Sequence, residues 1–220
     1  MDITIEQLLY SVPVVIIAIC FHELAHGYVS YKLGDPTPRL MGRLTWNPLK
    51  HLDLFGSLCL LVFGFGWAKP IQVNPNYYKN RKGGMVLTAL AGPMTNFILA
   101  FIGCLVVSLI TRIMGATVTF ETEAGYRAFL YIIQFLYYFI LLNIGLGSFN
   151  LIPFPPLDGS KILMAVLPEE LYMKWMRYER YGHLLLMVIL YMGLLDGPLS
   201  YVQDGIYEIL RTAADYLIGV

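Results

Sequence analysis

Charge is what this chain has least of. Only 14% of its 220 residues are Asp, Glu, Lys or Arg, and 57% are hydrophobic, whereas soluble domains sit nearer a quarter charged. The 15 basic and 15 acidic residues cancel to a formal net charge of zero, so a basic surface for nucleic acid is excluded. Cysteine is scarce too. Cys20, Cys59 and Cys104 are odd in number and each lies in an apolar run, which fits free buried thiols rather than a disulfide frame or a metal cluster. The N-terminal "MDITIEQ" has no basic leader and no small-residue cleavage site, so no cleaved signal peptide is expected. Internal repeats, low-complexity tracts and an appended soluble domain are missing as well. What remains is a membrane protein, read as one domain over 1–220.

Uncharged runs draw its map. Gly83–Thr111 and Ala128–Leu157 contain no charged residue, and each exceeds the roughly 20 residues that cross a hydrocarbon core of about 30 Å. Gln7–His22 is equally clean and can continue as one helix to about Lys32. Leu54–Ala68 and Tyr181–Leu195 are too short to decide by length. The tail, 199–218, sets Val202, Ile206, Ile209, Leu210, Ala213 and Leu217 at helical spacing against Asp204, Glu208, Arg211 and Asp215, the pattern of an interfacial amphipathic helix. The expected fold is an all-α polytopic membrane protein of about four to six membrane helices. A re-entrant or loop segment, with possible short β-strands, follows the first helix.

Basic residues set the orientation. Eight lie between Lys32 and Lys82 and four between Lys161 and Arg180, leaving only Arg112, Arg127 and Arg211 elsewhere. The positive-inside rule therefore makes 33–82 and 157–180 cytoplasmic and the Arg112–Arg127 loop external. For 33–82 to lie on one side, Leu54–Ala68 cannot cross and has to enter and leave by the same face. Irregular backbone at that depth needs protein or a wet cavity around it.

Against this greasy background stands His22-Glu23-Leu24-Ala25-His26. Residues four apart project from one helix face, so His22 and His26 can hold one metal ion, with Glu23 beside it to take a proton from a metal-bound water. Catalytic zinc uses three protein ligands and keeps one position open. The later Gly and His of the extended metalloprotease pattern are replaced by Val29 and Lys32, so the third ligand comes from elsewhere. Asp158, in "FNLIPFPPLDGSKIL", is the candidate, since Pro153, Pro155 and Pro156 break the helix before it. His22 lies about 22 Å below Gln7 at ~1.5 Å per residue, in the cytoplasmic third. About 20 residues from Ala128 reach the same face, leaving about ten to bring Asp158 back. Parity agrees: two crossings between His22 and Asp158 let them meet, and a third through Leu54–Ala68 would part them.

Plainer readings stand beside these. Asp158 could serve as a helix cap or turn residue. His51 and His183 read as interfacial residues rather than ligands. Asn96 reads as interhelical glue and Gly92-Pro93 as a tolerated kink. Asn150, and with it Asn143, are candidates to polarise a substrate carbonyl or position substrate. An unwound substrate could pair with an exposed strand edge, for which Arg39–Trp46 with Leu44, and Pro70–Pro75 with Val73, are the candidates.

"HELAHG" in the first span, "AGPMTN" in a middle one and "NLIPFPPLDG" after a later one together resemble the site-2 protease family of intramembrane zinc metalloproteases. The likeness covers about residues 8 to 195, in the family's order. It resembles a minimal form, similar to the group with "KLGDPTPRLMGRLTWNPLKHLD" and without the PDZ or nucleotide-sensing modules that other members append. The resemblance implies one zinc ion per chain on His22, His26 and Asp158, with Glu23 as the catalytic base. It further implies a transmembrane protein substrate cut near the cytoplasmic side of the membrane, in a prokaryote's cytoplasmic membrane. The competing class is a non-catalytic membrane zinc protein, such as a transporter, sensor or scaffold. Against a transporter, the ionisable groups cluster at one depth. Against a scaffold, metal binding alone gives Glu23 no reason to be Glu.

Overall fold

The computed structural model describes residues 5–53, 56, 68–114, 122–177 and 179–220. The helices are α1 (Ile5–Lys32), α2 (Thr37–Leu40), α3 (Arg81–Met114), α4 (Glu123–Asn150), α5 (Asp158–Ile162), α6 (Glu169–Met176), α7 (Glu179–Tyr191) and α8 (Asp196–Ile218). Caps mark where the sequence starts and stops them. The Asn80 carboxamide accepts from the Gly83 N–H at 2.9 Å ahead of α3, and the Thr122 hydroxyl accepts from Gly125 N–H at 3.1 Å ahead of α4, each satisfying an orphan donor. Gly219, at φ 77°, closes α8 in the left-handed conformation that glycine adopts freely.

Among the described residues, three helices are long and apolar enough to cross a membrane: Tyr10–Lys32 within α1, α3 and α4. A fourth is reached if Leu184–Tyr191 and Asp196–Ile218, which meet at 85°, form one broken span. That makes three or four where four to six were expected. The run Tyr181–Leu195 supplies one arm of the bent pair. Leu54–Ala68 lies outside the described residues apart from Gly56 and Ala68.

α3 is the central helix, packed on α1, α4 and α8. Small residues let the backbones close up, as they do between membrane helices. A Cβ on Gly103 would come within 2.6 Å of Ile140, and one on Gly147 within 2.7 Å of Phe97. Ala100, Cys104, Ile140, Ile144 and Ala214 form the buried core, with Ile206, Tyr207 and Leu210 of α8 against it. Of the apolar residues noted in the tail, Ile206 and Leu210 pack on this core, while Val202, Ile209 and Leu217 are exposed. Ser108 donates to Asp215 at 2.6 Å and Arg112 to the Ile218 carbonyl, so α8 ends beside the far end of α3. Cys20 and Cys104 are free and buried, as expected; Cys59 lies outside the described residues.

The segment after α1 differs from expectation. Among the described residues no strand forms, only an isolated antiparallel bridge between Leu52 and Ala68. Arg39–Trp46 is not extended: Arg39 and Leu40 close α2, and turns follow. The reason is local. Pro36 and Pro38 preset helical φ at the start of α2, and the Asp35 carboxylate accepts from Thr37 N–H at 2.9 Å. His51 is likewise not an interfacial side chain. It is fully buried, with Nε2 donating to the Thr45 carbonyl at 2.9 Å. The reading of His183 concerns a side chain outside those described.

The buried Arg43 organises this region. Its guanidinium donates to the carbonyls of Lys50 and Lys69, and Lys69 N–H donates to the His51 carbonyl at 2.9 Å. The chain therefore departs at residue 52 and returns at residue 68 side by side.

Candidate metal centre

Thr88, Gly92 and Asn96 recur every four residues along α3 and so form one stripe. That stripe faces His22 and His26 of α1, which share a face for the same reason. Opposite them, the turn after α4 delivers Asp158 at the first position of α5. Gly159 makes the turn possible, because a Cβ there would collide with the carbonyl oxygens of Leu151 and Ile152. The "LDG" sequence thus folds α5 back onto the end of α4, aiming the aspartate inward.

The ligand atoms of His22, His26 and Asp158 converge, and all three residues are buried. His22 Nε2 lies 3.1 Å from Asp158 Oδ2, His26 Nε2 lies 3.0 Å from the same oxygen, and the two Nε2 atoms are 3.0 Å apart. The far side of each ring decides what these atoms carry. His26 Nδ1 lies 2.6 Å from the Thr88 carbonyl, which only accepts, so Nδ1 holds the proton. His22 Nδ1 lies 2.6 Å from Asn96 Oδ1. The Asn96 amide is oriented by its nitrogen, which donates to Asn143 Oδ1 at 2.9 Å and to the Ala18 carbonyl at 3.3 Å. With the proton on Nδ1, each ring in its neutral form turns a bare Nε2 toward a carboxylate oxygen. Three lone pairs at this spacing repel unless an electrophile lies among them. Two imidazoles and one carboxylate suit zinc, whose bonds to such donors run about 2.0–2.2 Å, and carbonyl or amide partners behind the rings are the usual orienting groups.

Glu23 is buried beside the pair, and its Oε2 accepts from the Ile71 N–H at 2.8 Å. Ile71 opens a strap, Ile71–Asn74, that crosses the end of α1. Its other end is held by Asp35, whose Oδ2 accepts from Asn74 N–H at 2.7 Å and from the Ser30 hydroxyl at 2.8 Å. Burial alone would push the Asp35 carboxyl up. The hydrogen bonds from Asn74, Thr37 and Ser30 prevail and hold it below the usual carboxylate value. Tyr78 joins this cluster to the site, its hydroxyl lying 2.8 Å from Ser30 Oγ and 3.1 Å from Thr88 Oγ1.

The residues singled out from sequence separate clearly. His22, Glu23, His26 and Asp158 come together. Leu44 and Ile71 meet over Gly27, where a Cβ would lie 3.0 Å from Leu44 Cδ2 and closer still to Ile71 Cδ1; Val73 is half-buried in the strap. Asn143 stands behind Asn96, with its amide nitrogen donating to the Phe139 carbonyl at 2.8 Å. Asn150 donates to the Leu146 carbonyl one turn back at 2.9 Å, apart from the three ligands. Sequence reasoning missed the orienting role of Asn96 and the clearance at Gly92, for which the four-residue spacing from Thr88 to Asn96 was the available signal; the strap lies within Pro70–Pro75, singled out from sequence as a strand edge but not extended into one.

The description "Peptidase family M50" matches residues 10–194. "Putative zinc metalloprotease YwhC" of Bacillus subtilis is 42% identical over 181 residues, 82% of this chain and 79% of its own. "Putative zinc metalloprotease Rip2" of Mycolicibacterium smegmatis is 29% identical, over 80% of this chain and 64% of its own. "Zinc metalloprotease MJ0392" of Methanocaldococcus jannaschii is 27% identical, over 82% of this chain and 41% of its own. No solved structure matches.

Proposed function

The chain belongs to peptidase family M50, and from that membership we propose that it cuts peptide bonds in or near the transmembrane segments of other membrane proteins, on the cytoplasmic side of the bilayer. It is an integral membrane zinc metalloprotease. The finer reading takes the whole chain as one catalytic domain with a single zinc ion. The observation that carries it is the convergence of His22 Nε2, His26 Nε2 and Asp158 Oδ2 beside the carboxylate of Glu23.

Depth supports the cytoplasmic side. His22 lies ten residues from Lys32 and Gly92 eleven from Arg81, so both are about 15 Å from the basic ends of their helices at ~1.5 Å per residue. His22, His26 and Asp158 would hold the zinc, which would lower the pKa of a water and polarise a carbonyl there. Glu23 is placed beside them to accept a proton from the attacking water and to return it to the leaving amine. Ile71 N–H holds Oε2 of Glu23 in place meanwhile, leaving Oε1 to carry the proton. Asn96, backed by Asn143, and the Thr88 carbonyl keep both imidazoles turned with Nε2 inward. The substrate helix has to unwind before its carbonyl is accessible, and the unwound chain runs along the strap, touching Leu44 and Val73.

The test places purified wild type and Glu23→Gln in bilayers with single-span membrane proteins. Equal zinc content in both, with cleavage by the wild type alone, supports the protease. Cleavage by neither leaves the non-catalytic zinc protein as the surviving reading, and cleavage by both removes Glu23 from the mechanism.

A further inference from the structure

The two oxygens of Asp158 are used differently. Oδ2 faces both histidines at 3.0 and 3.1 Å. Oδ1 accepts from the ammonium of Lys161 at 3.1 Å, one turn along α5. The Lys161 side chain is 34% exposed against 9% for Asp158, so the ammonium reaches the buried carboxylate from its solvent side. A carboxylate with both oxygens disengaged is able to close on a cation through both. Here a charged donor already engages the second oxygen and draws it away from the histidines.

We infer that Lys161 is a positioning residue of the metal centre, holding Asp158 to one-oxygen ligation so that three protein donors, and not four, face the ion. This rests on the zinc reading above. Its consequence is chemical: a metal with three protein donors keeps the open position that a water or a substrate carbonyl needs, whereas a second carboxylate oxygen would fill it. Lysine suits the task because its ammonium is a point charge that engages one oxygen. The flat fork of arginine pairs with both oxygens of a carboxylate and would draw Oδ2 away from the histidines.

Cobalt(II) is the probe, because its visible absorption is intense in four-coordinate sites and weak in five-coordinate ones. Wild type, Lys161→Met and Lys161→Gln are loaded with cobalt in detergent, their folding is checked by circular dichroism, and affinity is measured by competition with a chelator. The wild type is expected to give an intense band. Both variants are expected to give a weaker one, with cobalt affinity changed by about tenfold, the lower end for groups behind metal ligands. Gln is polar and tolerates a half-exposed position, so the comparison survives if Met there fails to fold. Variants whose spectra match the wild type overturn the role of Lys161 alone. A wild type that takes up no cobalt overturns the metal reading and this inference with it.

Discussion

Gly92 faces the imidazole of His26. A methyl group at residue 92 would lie within 2.6 Å of His22 Cε1 and Nε2, and nearer still to His26 Nε2. Both rings are fixed from behind by hydrogen bonds, so neither can yield without losing one. Gly92→Ala is expected to keep α3 helical, since alanine is the better helix former. It should weaken zinc binding about 10–100-fold, as loss of an orienting contact does. Metal content after dialysis against a graded chelator checks it; wild-type retention would remove the clearance argument.

Asn96 touches His22 directly, and Asn143 acts on it only through Asn96. Replacing each by leucine should therefore give a graded pair. Asn96→Leu is expected to lower zinc affinity at least about tenfold, and Asn143→Leu to lower it less. Isothermal titration with zinc, run on both variants, reads the order directly. A larger loss in Asn143→Leu would contradict the relay.

Asp35 gives the strap a pH limit. Its folded carboxyl titrates below the ordinary carboxylate value, so the charged form favours the folded state. That contribution is complete above an unfolded pKa of about 3.9 and is lost as pH falls through the lower folded value. Asp35→Asn is expected to lower stability at neutral pH and to flatten the acid decline below about pH 4. Melting curves across pH 3 to 7 would show it, and parallel curves for the two proteins would refute it.

A proline in the strap probes the substrate path. Val73→Pro removes one N–H and restricts Gln72 before it, between the two anchors at Ile71 and Asn74. Cleavage should disappear while zinc stays bound. Leu44→Pro, on the other side of Gly27, should do the same. Undiminished cleavage by either variant would show that substrate does not run there.

Arg43 anchors the two ends of the 52–68 segment. Arg43→Met leaves the Lys50 and Lys69 carbonyls without their shared donor. Limited proteolysis should then cut between residues 50 and 70 sooner than in the wild type. Equal protection would mean that the Leu52–Ala68 bridge suffices.

The spans were legible because hydrocarbon demands long uncharged runs: Gln7–His22, Gly83–Thr111 and Ala128–Leu157 as far as Asn150 became the bodies of helices. His22 and His26 were legible because helical spacing alone puts them on one face, and Asp158 because topology left it few rivals at that depth. What spacing within a helix cannot state is which neighbour a face meets. Asn96 read as glue and Gly92 as part of a kink, and only the approach of α1 to α3 turns them into supports of the metal ligands. The strand expected at Arg39–Trp46 failed because apolar alternation there competes with Asp35-Pro36-Thr37-Pro38, which starts a helix. His51 looked interfacial by composition, and its burial depends on the fold-back organised by Arg43, a contact between segments far apart in the chain.

Asp158 follows His26 by 132 residues. The ribosome delivers both histidines and the glutamate with the first span, long before the third donor exists. Throughout that interval the growing chain carries two of the three donors. The set that could hold an ion is complete only once α5 has brought Asp158 to the first helix, so the centre is the last thing the order of synthesis allows to form.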